Sequence, residues 1–122
     1  MEDTFWEDAG PWLTTDEIAD RLGVANDEVD RLRVSGHAFA VRWLDGTYGY
    51  PDRQLTEDQR ILPELSAVLR AAAGMSDAWI SGWLACAAWK NDVTTRWDVL
   101  ASEESALVAR WMADDVAWIR RP

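Results

Sequence analysis

Between Thr14 and Gly36 the chain reads TTDEIADRLGVANDEVDRLRVSG, and this stretch constrains the fold more than any other. Ile18, Ala19 and Leu22 recur at helical spacing, Gly23 breaks the pattern, and Val24, Val29 and Leu32 continue the apolar face. The spacing predicts a helix, a tight turn and a second helix from about Asn26 to Val34. Thr14 stands three residues before Glu17, the arrangement in which each side chain satisfies a backbone N–H left over at a helix start. Gly23 and Gly36 are the residues that close each helix in the left-handed conformation without a Cβ clash.

From Phe39 the period changes to two. Phe39, Val41 and Trp43 alternate with Ala40, Arg42 and Leu44, Asp45-Gly46 supplies a turn, and Thr47 to Tyr50 returns, which predicts a β-hairpin ended by Pro51. Before the first helix, Gly10-Pro11 breaks the chain and Trp12-Leu13 is placed to staple that helix start. After the hairpin, Asp52 to Arg60 is a polar connector. Three helices are expected beyond it. The first opens at Ile61-Leu62-Pro63 with Leu65, Val68, Leu69 and Ala72 as its stripe. The second is capped by Ser76, and the third by Ser102, with Glu103 and Glu104 in its first turn.

LTTDEIADRLGVANDEVDRLRVSGHAFAV resembles the winged helix-turn-helix of MerR/excisionase-type DNA-binding proteins over roughly Trp12 to Pro51: a Leu-Thr start, a Leu-Gly-Val turn and a Ser-Gly ending before a hairpin. The region from Ile61 is similar to the toxin-binding domain of Xre/MbcA/ParS-type antitoxins, on Ile61-Leu62-Pro63, Trp83-Leu84 and Asp98-Val99-Leu100. Together these imply a mainly α fold with a small β-hairpin: an acidic tail over 1–11, a winged helix-turn-helix over 12–53, a connector over 54–60, and a three-helix lobe over 61–122 for dimerisation or partner binding. The resemblance implies a transcriptional regulator or antitoxin-like protein that reads duplex DNA. Its second helix would enter the major groove with Asn26, Arg31 and Arg33 near bases or phosphates, and Arg42 on the wing and Arg53 would lie by the backbone. A homodimer would set two such helices roughly 34 Å apart; a toxin or another protein is the further partner implied.

Charge supports a different function. The 122 residues carry a net charge of −10, and the imbalance is greater up to Arg53, with twelve Asp and Glu against five Arg, than beyond it, with ten against seven Lys and Arg. Phosphate binding draws on a basic stripe. Ala25 stands where the family usually has a capping Ser, and Asn26, Asp27 and Asp30 stand where basic, amide or aromatic residues often face DNA. The alternative is an acidic protein-binding module, or a DNA-mimicking inhibitor, whose helix-turn-helix no longer binds DNA.

Nine Trp exceed what one core of this size needs. Trp79, Trp83, Trp89, Trp97, Trp111 and Trp118 are candidates for a dimer interface or a partner's pocket, and core filling is their other use. Cys86 is the sole cysteine, expected as a small buried residue on a helix, and His37 is the sole histidine, expected to be structural or on the surface. No nucleophile, phosphate loop or ligand set completes a catalytic, cofactor or metal site; the adjacent pairs Glu103-Glu104 and Asp114-Asp115 point to different sides of a helix. Hence no enzyme is expected. No apolar run approaches the roughly 18 to 20 residues that span a bilayer, and the N-terminus lacks signal-peptide features, so the expectation is a cytoplasmic protein without membrane contact.

Overall fold

The computed structural model describes residues 10–89 and 93–121. The tail expected over 1–11 lies outside these up to residue 9. In chain order the elements are β1 (Trp12–Leu13), α1 (Thr15–Leu22), α2 (Asn26–Val34), β2 (Val41–Arg42), β3 (Tyr48–Pro51), a 3-10 turn (Asp52–Gln54), α3 (Leu65–Ala71), α4 (Asp77–Ala85), α5 (Arg96–Leu100) and α6 (Ala106–Ile119). The fold is mainly α with a small antiparallel sheet, as the two periodicities indicate.

Both helices of the helix-turn-helix begin and end as their sequence dictates. Thr14 Oγ1 accepts from Glu17 N at 3.1 Å and Glu17 Oε1 accepts from Thr14 N at 2.8 Å, completing the capping box. Gly23 closes α1 at φ +71°, where its N–H reaches back to Ala19 and Asp20. Ala25 gives α2 no side-chain cap. Instead the Asn26 amide donates to the Asp16 carboxylate across the turn.

The hairpin gains a third strand. β1 pairs antiparallel with β3, Trp12 opposite Pro51 and Leu13 opposite Tyr50, so the sheet order is β1-β3-β2. Two residues are too few to show a period, which is why this strand was legible only as a helix staple. At the other end Gly46 turns the hairpin at φ +89° and donates to Trp43 O.

Two hydrophobic cores share the segment that leads into β2. Phe39 and Val41 enter the larger core, built by α3 to α6, and Trp43 packs against it; Ala40 enters the smaller one with Leu13, Ile18, Ala19, Val29 and Tyr50. The alternation read from the sequence is therefore real, with both faces covered where β2 begins and only Arg42 and Leu44 turned to solvent. Gln54 fastens the junction. It is fully buried, with Oε1 accepting from Phe39 N at 2.8 Å and Nε2 donating to the Phe39 and Pro51 carbonyls at 2.8 and 3.1 Å. All its strong hydrogen-bonding directions but one are used on the backbone, which is how an uncharged polar side chain survives in a core.

The helical lobe departs from expectation at two points. It holds a fourth, one-turn helix, α5, started by a capping box between Thr95 and Asp98. Ser102 does not cap the last helix: its hydroxyl donates to Val99 O at 2.6 Å and accepts from Glu104 N at 3.1 Å, so residues 102–105 form a turn and α6 starts at Ala106. The carbonyls that end α5 draw the serine hydroxyl away from the next helix. α6 then packs along α3 and α5 through Val108, Met112 and Val116.

Candidate nucleic-acid interface

Burial of Val29 in the smaller core fixes which side of α2 faces outward. Asn26, Asp27, Asp30, Arg31 and Val34 form that exposed stripe, at the i, i+3, i+4 spacing of one helix face. It carries one amide, two carboxylates, one guanidinium and an isopropyl group. The cation is balanced by a neighbour: Arg31 Nε lies 3.0 Å from Glu28 Oε1, with the Arg31 side chain 72% exposed.

Arg33 has a different environment. Its guanidinium carbon sits 3.8 Å above the Tyr48 ring, Nε donates to the Tyr50 hydroxyl at 3.2 Å, and Nη2 meets Asp30 at 3.2 Å, leaving the side chain 22% exposed. Burial alone would lower its pKa; the hydrogen bonds it donates to Tyr50 and Asp30 outweigh that and hold it above its ordinary value. A permanently charged side chain thus bolts the C-terminal half of α2 to β3. Sequence reading placed Arg33 near DNA because its two partners, Tyr48 and Tyr50, are separated from it by a turn and a strand.

The remaining cations differ again. The Arg42 side chain is exposed on β2, and among the described residues its guanidinium has no ion-pair partner; its backbone N–H donates to Asp77 on α4 at 3.3 Å. Arg53 lies half-buried in the 3-10 turn, likewise without an ion pair among the described residues. Of the five candidates for DNA contact, Arg31 and Arg42 face solvent, Asn26 is exposed but tied to Asp16, Arg53 is partly covered, and Arg33 is committed to the fold.

The six indoles divide as sharply. Trp97 and Trp83 are core residues, 2% and 7% exposed, which withdraws them from any partner surface. Trp83 Nε1 donates to Asp115 at 2.7 Å while the Arg96 guanidinium covers its ring at 4.1 Å. Trp79 is half-buried. Trp89 meets Trp111 edge to face, centroids 5.7 Å apart, and Trp118, two turns further along α6, is 69% exposed with Arg121 over its ring. Trp89, Trp111 and Trp118 therefore outline one side of α6. Cys86 is exposed at the C-terminal cap of α4 rather than buried on a helix, because the helix stops before carrying it to the core. His37 is exposed, with Nδ1 2.9 Å from the Ser35 hydroxyl.

No family model matches the chain, and no curated protein matches it. Among solved structures it is similar to the NMR structure of Rv2175c, at 21% identity and a TM-score of 0.73, over 87% of this chain and 81% of that one. At that identity the likeness is one of fold. No described helix is long and apolar enough to cross a membrane.

Proposed function

We propose that this chain is a cytoplasmic, duplex-DNA-binding protein of the regulator or antitoxin-like kind, reading with the outward stripe of α2 and steadied by the hairpin. One observation carries the reading: both cores leave the α2 stripe uncovered, and it is flanked by a hairpin whose Arg42 guanidinium has no ion pair among the described residues. Asn26 and Arg31 are the residues for base edges, with Arg42 and Arg53 for phosphates.

Magnitudes favour Arg31 over Arg33. An exposed i, i+3 pair such as Glu28–Arg31 is worth about 0.3–0.5 kcal/mol, so a phosphate or guanine edge can take the arginine from it. Arg33 would have to leave a ring face and a tyrosine hydroxyl. Against binding, Asp27 and Asp30 each cost about 0.6 kcal/mol if held roughly 7 Å from a phosphate in a water-like dielectric. The balance is a reader with little affinity for random duplex, dependent on specific contacts. Trp89, Trp111 and Trp118 are the surface for a homodimer or a protein partner such as a toxin.

Titrating duplex DNA at several salt concentrations tests this. With Arg42 and Arg53 on phosphates, log K falls with log salt with a slope of about −1.8. A second reading rests on the two carboxylates of the same stripe: an acidic module for a basic protein, or a DNA mimic. No duplex binding at low salt favours that one.

A further inference from the structure

A cavity of about 360 Å³ lies where the turn of the helix-turn-helix meets the connector and the start of α3. Leu22, Val24 and Leu32 form one wall, and Ile61 and Pro63 face them from the helical lobe. Val24 is notably exposed for a valine in a tight turn, so this apolar surface is not closed by the fold itself. A seam between two packed units, lined by aliphatic side chains with a few polar groups at its rim, is where small ligands are commonly held.

The rim selects the ligand's charge. Glu28 is already engaged by Arg31 at 3.0 Å, and His37 Nδ1 by Ser35, whereas the Arg60 guanidinium has no ion pair among the described residues. Gln59 and Ser66 add neutral polar groups, so the unpaired charged side chain at the cavity is the cation Arg60. From this geometry we infer that the cavity binds a small amphipathic monocarboxylate, its aliphatic or aromatic body between Leu22, Val24 and Ile61 and its carboxylate on Arg60. An eight-carbon chain at roughly 30 Å³ per carbon, about the share of one liquid water, takes about 240 Å³ and leaves room for a few waters at the opening. The partner of Arg60 would be a bidentate carboxylate, the pairing that its planar fork favours.

Three eight-carbon probes separate the contributions: octanoate, octanol and octylamine, each titrated into the full chain and followed by the methyl signals of Leu22, Val24, Leu32 and Ile61. Octanoate is expected to shift all four and to bind roughly fivefold more tightly than octanol, with octylamine weakest. Arg60→Gln should bring octanoate down to the octanol value while leaving octanol binding and thermal stability unchanged. Val24→Asp, which places a carboxylate in the wall, should weaken octanoate and octanol alike. Methyl signals that stay still with millimolar octanoate overturn the inference, and so does octylamine binding best, which would mean that Glu28 rules the rim. Because no DNA enters the measurement, loss of the DNA reading leaves this result intact, and the reverse.

Discussion

Arg31 and Arg33 stand two positions apart on one helix, and the difference in what surrounds them sets their uses. Replacing Arg33 with Met removes a cation–π contact and the hydrogen bond to Tyr50, and the expected cost is about 1–2 kcal/mol in chemical unfolding. Arg42→Met should leave stability within about 0.5 kcal/mol and instead flatten the duplex salt slope by about 0.9. The opposite pattern would exchange their roles. Gln54 is the residue on which the junction depends most. Gln54→Leu leaves Phe39 N–H and two carbonyls buried without partners, and is expected to cost roughly 3 kcal/mol by the same measurement. Nothing in the local sequence marks Gln54, since it sits in a polar connector; its role exists only because Phe39 is brought beside it.

At the scale of elements, the hairpin shows how a turn is held by charge. Asp45 Oδ1 accepts from Thr47 N at 2.9 Å and from the Thr47 hydroxyl at 2.6 Å, and these bonds lower its pKa from the ordinary 3.8. A carboxyl whose folded pKa is depressed stabilises the fold above its unfolded pKa, and that contribution disappears as pH falls through the lower, folded value. The Thr47 amide resonance is therefore expected to titrate below pH 4 while the rest of the sheet holds. Asp45→Asn should remove the titration; a Thr47 signal that moves equally in both proteins would disprove the assignment. The helix starts at Thr14 and Ser76 were legible because a cap is a local chemical arrangement over four residues. Ser102 misled for the same reason: its hydroxyl had two backbone groups within reach, and the end of α5, invisible in the sequence, took it.

For the whole molecule, the shared segment leading into β2 makes two cores behave as one. Phe39 and Val41 belong to the larger core and Ala40 to the smaller, so neither can open without withdrawing side chains from the other. The change in tryptophan emission, to which the buried Trp83 and Trp97 of the larger core contribute, and the loss of protection of the α1 amides, which report the smaller core, should coincide in denaturant. Separate midpoints would show that the lobes fold independently. The sequence by itself determined where α1 and α2 begin and end, that a hairpin follows, and that the chain is mainly α, because caps, turns and periodicity act over a few residues. Tertiary structure alone decided which arginine is free. Arg33 meets Tyr48 and Tyr50 only after α2 packs on the sheet, and Trp97 loses its solvent only after α4 and α6 pack against α5, since burial and pairing are set by residues distant along the chain.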